Sequence, residues 1–158
     1  MRISIGSDHR GFHVKAKLVS LLAQLGHEVS DVGSSSGTES VDYPDIASLV
    51  SARVSRGEVE RGILVCGTGI GMSIAANKFP GVRAAACYDE IMADICRRHN
   101  DVNVLCLSGD LLGERPIDNL VKIWRQTEFE GGRHARRLGK IYEIERGEWN
   151  CPGGDKKA

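Results

Sequence analysis

A cysteine followed by a glycine-rich segment carries the clearest chemical signal in this sequence. Cys66-Gly67-Thr68-Gly69-Ile70-Gly71 follows the apolar run 63–65 and precedes a stretch with helical periodicity. Three glycines in this segment let backbone N–H groups converge on an anion, and the N-terminus of the following helix adds positive potential. The same surroundings favour the thiolate form of Cys66. A thiolate beside an oxyanion cradle can remove a carbon-bound proton and leave a stabilised enediolate.

Two other interpretations of this segment remain open from its residues. The segment is also compatible with a tight strand-to-helix turn that contains an inert cysteine. Asp89 lies about 20 residues further on, where a dinucleotide-binding site has its ribose-binding acid, but the spacing here is G-x-G-x-G instead of G-x-G-x-x-G. A P-loop is excluded because no Gly-Lys-Ser/Thr follows the glycines.

Three further segments place polar residues where they could bind a ligand. They are Ser7-Asp8-His9-Arg10-Gly11 after the first strand pattern, His99-Asn100 after the fourth helical pattern, and Gly131-Gly132 with Arg133, Arg136 and Arg137 at the start of the last one. A histidine near a helix end commonly compensates the helix dipole, and arginines on one turn commonly form a solvated face. The two glycines that lead into these arginines favour a phosphate bound at the helix N-terminus.

The elements that must position these residues alternate between strand and helix. The patterns predict strands at 2–6, 28–32, 62–66, 82–87 and 102–107, and helices at 11–25, 45–56, 71–79, 89–99, 115–127 and 133–146. This alternation predicts a three-layer α/β sandwich around a doubly wound, Rossmann-like, five-stranded parallel sheet of order 2-1-3-4-5. The ligand crevice then lies beyond the carboxyl ends of strands 1 and 3. We expect one domain over residues 1–146 and a flexible C-terminal tail over residues 147–158.

The composition narrows the class of protein. The 158 residues include 21 Lys and Arg and 21 Asp and Glu, so the chain as a whole has no field that attracts nucleic acid or an anionic membrane. The five cysteines form no C-x-x-C pair and the first residues lack the layout of a signal peptide, so we expect a reduced, cytoplasmic protein. His9 and His13 lie one helical turn apart, but no carboxylate or third ligand accompanies them, so neither a metal nor another cofactor is predicted.

Five motifs occur in an order that is typical of one enzyme family. They are Ser7-Asp8-His9-x-Gly11-Phe12, Asp42-Tyr43-Pro44, the 66–71 segment with Ala75-Ala76-Asn77-Lys78, His99-Asn100-Asp101, and Phe129-Glu130-Gly131-Gly132-Arg133-His134. Over residues 1–146 the chain resembles ribose-5-phosphate isomerase B and its galactose-6-phosphate isomerase relatives. The resemblance implies an aldose–ketose isomerase of the pentose phosphate pathway, without metal or cofactor. Such an enzyme interconverts ribose 5-phosphate and ribulose 5-phosphate by enediolate proton transfer.

The resemblance also implies a role for each matched residue. Cys66 would move the proton between C1 and C2, His99 would open the sugar ring, and Thr68 completes the predicted catalytic set. The predicted substrate-binding residues are Asp8, His9, Tyr43, Gly67, Gly69, Ile70, Gly71 and Asn100. The predicted phosphate-binding residues are Arg133 and Arg137, with Arg10 as a further candidate. Some members of the family use an acidic residue directly after the glycine loop as the base, and this chain has Met72 there, which favours Cys66.

One position departs from the family pattern. The family usually has an arginine shortly after the fifth strand as a further phosphate ligand, whereas this chain has Asp110. A carboxylate there would repel a phosphate, so either Arg10 replaces the lost charge or the substrate differs from ribose 5-phosphate. The alternatives are an isomerase of a six-carbon sugar phosphate, such as allose 6-phosphate or galactose 6-phosphate, and a non-catalytic module that binds a sugar phosphate or nucleotide. Intact Cys66, Asp8 and His99 argue against the module, because binding alone needs no thiol base.

The positions of these residues relative to the strands predict the assembly. Cys66 and its loop follow a strand, as do Asp8, His9 and Tyr43, whereas His99, Asn100, Arg133 and Arg137 follow helices. In a parallel sheet the two groups lie at opposite ends, roughly 15 Å apart across strands of about five residues. Acid–base chemistry reaches only ~3 Å. We therefore expect a homodimer, or a dimer of dimers, whose active sites are shared between subunits.

Overall fold

The predicted strand–helix alternation is confirmed along the chain. The computed structural model describes residues 1–111 and 117–150. The strands within these residues are β1 (Arg2–Ser7), β2 (Glu28–Asp31), β3 (Arg61–Cys66), β4 (Ala84–Ala86) and β5 (Val104–Ser108). The helices are α1 (Phe12–Gln24), α2 (Tyr43–Ser55), α3 (Ile70–Ala76), α4 (Glu90–Asn100), α5 (Ile117–Gln126) and α6 (Arg133–Glu145). The first two residues of the helix predicted at 115–127 lie outside the described residues.

The strands form one parallel sheet, but its order differs from the predicted order in one place. The observed order is β2-β1-β3-β5-β4, so the prediction that β4 lies beside β3 is wrong. Strand β5 is buried along its whole length, whereas β4 is three half-buried alanines. A long apolar strand buries more surface at the centre of a sheet than a short one of small residues does, so β5 takes the inner place and β4 the edge.

Each face of the sheet packs against its own layer of helices. Residues of alternate positions along β1, β3 and β5 contact α1, α4 and α5 on one face: Ile3, Ile5, Ile63, Val65, Leu105 and Leu107. On the other face Leu64, Cys66, Val104 and Cys106 pack with residues of α2 and α3. The predicted three-layer α/β sandwich is therefore confirmed. The alternation also places the side chain of Cys66 on the α2–α3 side of the sheet.

The ends of α4 are fixed by two aspartates. The Asp89 carboxylate accepts a hydrogen bond from the backbone N–H of Met92 at 2.7 Å, which caps the first turn. Asp101 ends the helix in a left-handed conformation with φ of 46°. Its carboxylate lies 2.8 Å from the guanidinium of Arg97, whose side chain is buried. The helix therefore ends at a defined place, which fixes the positions of His99 and Asn100.

None of the helices within the described residues is long and apolar enough to cross a membrane. Of the predicted tail, residues 147–150 are described and 151–158 are not. The domain boundary at 146 and the flexibility of the tail stay predictions.

Candidate active site

The glycine loop begins where β3 ends, with the thiol of Cys66. This side chain is 5% exposed, and its Sγ accepts a hydrogen bond from the backbone N–H of Gly69 at 3.1 Å. Gly69 has φ of 80°, and a Cβ there would lie 3.1 Å from the carbonyl oxygen of Leu107. Only glycine fits this conformation and this space without strain. The loop is thereby folded back so that one of its N–H groups points at the thiol.

The loop after β1 lies directly against the end of β3. Asp8 donates its backbone N–H to the carbonyl of Val65 at 3.2 Å, and its Oδ1 accepts the N–H groups of Arg10 and Gly11 at 3.0 and 3.1 Å. A Cβ on Gly11 would lie 2.6 Å from the same Val65 carbonyl oxygen, so glycine lets the two loops approach. The buried Asp8 carboxylate therefore holds its own loop in shape beside Cys66.

Three ring side chains lie in the segments at the carboxyl ends of the strands: His9, Tyr43 and Tyr88. His9 Nδ1 accepts the backbone N–H of Val41 at 3.3 Å, which places the proton of a neutral imidazole on Nε2. Tyr43, at the start of α2, packs on the glycine loop, since a Cβ on Gly71 would lie 2.6 Å from Tyr43 Cζ. Tyr88, which follows β4, donates its hydroxyl to the carbonyl of Thr68 at 2.9 Å.

Arg10 and Asp110 form an ion pair across the same loop. Both Nε and Nη2 of Arg10 donate to Oδ2 of Asp110, at 2.8 and 2.5 Å. Asp110 follows β5, and it reaches this place because β5 lies beside β3. The carboxylate that the sequence led us to expect as a repulsive charge is thus paired with a guanidinium.

A second group of polar side chains forms where α4 ends and α6 begins. The imidazole rings of His99 and His134 stack in parallel, with centroids 4.1 Å apart. Oε2 of Glu130 lies 3.5 Å from His134 Nε2 and 3.9 Å from His99 Nε2. Arg98 donates to Glu130 and holds the pKa of that carboxyl below its usual value. Burial, together with the charges of His99 and Arg133, lowers the pKa of His134.

The two imidazoles and the carboxylate of this group are also candidate metal ligands. One ligand atom from each of His99, Glu130 and His134 lies within 4.8 Å of the other two. Imidazole and carboxylate groups are ligands that zinc accepts. The prediction that the protein works without a metal stays a prediction, which chelation can test.

The predicted phosphate ligands Arg133 and Arg137 lie one turn apart at the start of α6. The helix follows Gly131 and Gly132, which both have positive φ. Both arginine side chains are exposed, and no carboxylate within residues 1–111 and 117–150 forms an ion pair with them. Their charges are therefore available to an anion.

The two groups lie at opposite ends of the sheet within one chain. Cys66 is paired with Ser108 at the carboxyl ends of β3 and β5, whereas Gly62 at the amino end is paired with Val104. His99 and Asn100 end α4, just before β5 begins. Four residue steps along the strands correspond to about 13 Å. The structure thus places Asp8, His9, Tyr43 and the glycine loop at the same end of the sheet as Cys66, and His99, Asn100, Arg133 and Arg137 at the other end.

Three residues with a clear place in these groups received no role from the sequence: Tyr88, Glu130 and His134. Glu130 and His134 belong to the fifth motif, in which only the glycines and the arginines suggested a ligand site from the sequence. Their meeting with His99 depends on the packing of α6 on α4, which no local spacing reveals. Tyr88 lies in none of the five motifs, and its contact with Thr68, 20 residues away, depends on the tertiary structure.

Comparison with known proteins agrees with this geometry. A family model described as Ribose/Galactose Isomerase matches residues 3–141. The chain is 45% identical over 144 residues to ribose-5-phosphate isomerase B of Escherichia coli, which covers 91% of this chain and 96% of that protein. The structure of ribose-5-phosphate isomerase B from Clostridium thermocellum superposes with a TM-score of 0.90 at 48% identity, over 94% of this chain and 100% of that one.

A further solved structure, ribose-5-phosphate isomerase B from Mycoplasma genitalium, contains bound ribulose-5-phosphate. It superposes with a TM-score of 0.88 at 39% identity, over 92% of this chain and 96% of that one. The resemblance drawn from the five motifs is confirmed, and so is the expectation of a sugar-phosphate isomerase. The chain belongs to the ribose/galactose isomerase family.

Proposed function

We propose that this protein interconverts ribose 5-phosphate and ribulose 5-phosphate through an enediolate intermediate. The observation that carries the proposal is the thiol of Cys66, which lies at a strand end and accepts the backbone N–H of Gly69 in the glycine loop. The similarity of the chain to ribose-5-phosphate isomerase B, including the Mycoplasma genitalium protein with ribulose-5-phosphate bound, supports a five-carbon substrate.

In the proposed reaction Cys66 acts as the base. Its thiolate takes the proton from C2 of the open-chain aldose, and the C1 carbonyl becomes an enediolate oxygen. The hydroxyl of Thr68 and the N–H groups of the 67–71 loop stabilise that oxygen, as oxyanion-hole donors do. The thiol then returns the proton to C1, while the proton of the C2 hydroxyl passes to the oxygen on C1; C2 becomes the carbonyl carbon and C1 carries the hydroxyl of the ketose. Asp8, His9 and Tyr43 hold the hydroxyl groups of the sugar.

Ring opening and phosphate binding are assigned to the second group of side chains. His99 would move the proton that opens the furanose ring, Asn100 would contact the enediolate, and Arg133 and Arg137 would bind the phosphate. Because these residues lie about 13 Å from Cys66 along the strands, one chain does not assemble the whole site. We therefore include in the proposal a homodimer, or a dimer of dimers, in which each Cys66 end faces the His99–Arg137 end of a partner.

The test is an assay of ribose 5-phosphate, allose 6-phosphate and galactose 6-phosphate side by side, in deuterated water without metal or nucleotide. We expect turnover of ribose 5-phosphate with deuterium entering C1 or C2, and loss of both in Cys66→Ala with sugar-phosphate binding retained. Cys106→Ala is the matched control, because Cys106 is a free thiol packed in the same layer. Turnover of only a six-carbon sugar would change the assigned substrate, and binding without deuterium exchange would support the non-catalytic module.

The absence of a cofactor and the cytoplasmic location stay predictions. The location is supported by four free and buried cysteines among the described residues, since unpaired thiols are typical of reducing compartments. Cys151 lies outside the described residues.

A further inference from the structure

The Arg10–Asp110 ion pair spans three neighbouring strand ends. Arg10 follows β1, Asp110 follows β5, and the pair passes over Gly67, which follows β3 between them. A Cβ on Gly67 would lie 2.8 Å from Asp110 Oδ2 and 2.9 Å from Arg10 Nε. The pair therefore rests directly on the residue that follows Cys66.

The Asp110 side of this pair is fixed by the turn that carries it. Its backbone N–H is 3.2 Å from the carbonyl of Gly67 and 3.2 Å from the hydroxyl oxygen of Ser108. That hydroxyl donates to the same Gly67 carbonyl at 2.6 Å, and the N–H of Gly109 donates to the carbonyl of Cys66 at 2.7 Å. Three of these hydrogen bonds tie the turn after β5 to the glycine loop and the fourth closes the turn itself, so the backbone that carries the Asp110 carboxylate is held in place.

The backbone of Arg10 is held as firmly on the other side. Its N–H is bound by the Asp8 carboxylate, and its carbonyl oxygen would lie 2.7 Å from a Cβ on Gly109. Only the guanidinium extends into the crevice, and without Asp110 it would have many rotamers to choose from. Two anchors, one on the backbone and one at the tip, define where that charge lies.

The guanidinium retains N–H groups that the ion pair does not use. Nε and one N–H of Nη2 go to the single oxygen Oδ2 of Asp110. Nη1 has no hydrogen-bond partner within the part of the chain that the structure describes, and the Arg10 side chain is 58% exposed. A guanidinium has five N–H donors in a rigid fork, so the remaining edge can bind an oxyanion while the first edge stays anchored.

We propose that Asp110 is a positioning residue, which holds the Arg10 guanidinium over Gly67 so that its free N–H edge binds the phosphate of the substrate. This inference rests on the proposed function, because the sugar phosphate must enter the crevice beside Cys66. Asp110 then strengthens phosphate binding, whereas its negative charge alone would repel a phosphate. Removal of the Asp110 carboxylate weakens phosphate binding, because the Arg10 guanidinium is no longer held in one orientation.

The test is a double-mutant cycle on the KM for ribose 5-phosphate, with Arg10→Ala, Asp110→Ala and the double variant. We expect each single change to raise KM by roughly ten- to hundredfold, the range of a hydrogen bond to a charged group, with kcat changed much less. The double variant should resemble either single variant, since the two residues act as one unit. Asp110→Asn keeps an acceptor oxygen in place and should restore part of the loss.

Inorganic phosphate as a competitive inhibitor provides a second measurement. Its inhibition constant should rise in Arg10→Ala and Asp110→Ala in parallel with KM. The matched control is the exposed pair of Arg56 and Glu58, 3.4 Å apart before the amino end of β3. Alanine at both of these positions should leave KM and phosphate inhibition unchanged.

Several results would overturn the inference. One is a KM that falls or stays unchanged in Asp110→Ala. Another is a double variant in which the two single effects add. If circular dichroism shows that either alanine variant does not fold, Asp110→Asn and Arg10→Lys replace the alanine variants in the test. The inference would be overturned if KM rose in neither of these two variants. Failure of the proposed function would look different, because the wild-type protein would turn over none of the sugar phosphates. Calorimetric titration of wild type and Asp110→Ala with inorganic phosphate would then test the inference alone, and equal affinities would overturn it.

Discussion

Activity should return when two inactive variants, Cys66→Ala and His99→Ala, are mixed and allowed to exchange subunits. The reason lies in the register of the sheet. Cys66 is level with Ser108 at one end of β5, and His99 precedes Val104 at the other end. The four residue steps between these levels correspond to about 13 Å, whereas proton transfer needs about 3 Å. If Cys66 and His99 serve one site, as proposed, that site combines the Cys66 end of one subunit with the His99 end of another.

The expected recovery follows from counting sites. Random pairing of equal amounts of the two variants makes about half of the dimers mixed, and each mixed dimer has one of its two sites intact. Activity should therefore approach about a quarter of the wild-type value at equal total protein. The assay is the initial rate of ribose 5-phosphate isomerisation after exchange, with native mass spectrometry of size-tagged subunits to prove that mixed dimers formed.

A second mixture provides the control, His99→Ala with Arg133→Ala. Both residues lie in the same group of side chains, so each site of a mixed dimer lacks one of them and no activity should return. Absence of recovery with Cys66→Ala and His99→Ala, despite proven exchange, would refute the shared site. Recovery in the His99–Arg133 mixture would refute the assignment of these residues to one end of a subunit.

Three further outcomes are expected. Gly69→Ala should lower kcat by roughly 10²–10³-fold, as the loss of an oxyanion donor does. The reason is that the new Cβ would crowd the backbone of Leu107 and shift the loop N–H groups away from the substrate. An unchanged kcat would show that these N–H groups do not stabilise the enediolate. Gly11→Ala should lower the free energy of unfolding in urea by about 2 kcal/mol or more, since its Cβ meets backbone atoms, whereas Gly139→Ala, in open space within α6, should raise it by about 0.5–1 kcal/mol. Activity should survive exhaustive treatment with EDTA; a loss that one divalent ion reverses would instead assign a metal to the His99 group.

The sequence by itself determined the fold class and the position of Cys66 and its glycine loop at the end of β3. Hydrophobic periodicity and glycine spacing are local properties, so the alternation of strands and helices, the turn at Gly69 and the placing of Cys66 at a strand end could be predicted without any long-range contact. The opposite placement of His99 followed from the same local pattern, because a residue after a helix and a residue after a strand lie at different ends of a parallel sheet.

The tertiary structure alone decided which strand ends became neighbours. The predicted order failed at β4 and β5 because their places depend on how much apolar surface each buries against the rest of the sheet. That exchange brought Asp110 next to the glycine loop, where it meets Arg10 from β1. The stacking of His99 on His134 likewise required α6 to pack on α4. Contacts between residues 35 or 100 positions apart in the chain arise from the packing of whole elements, and no local spacing determines them.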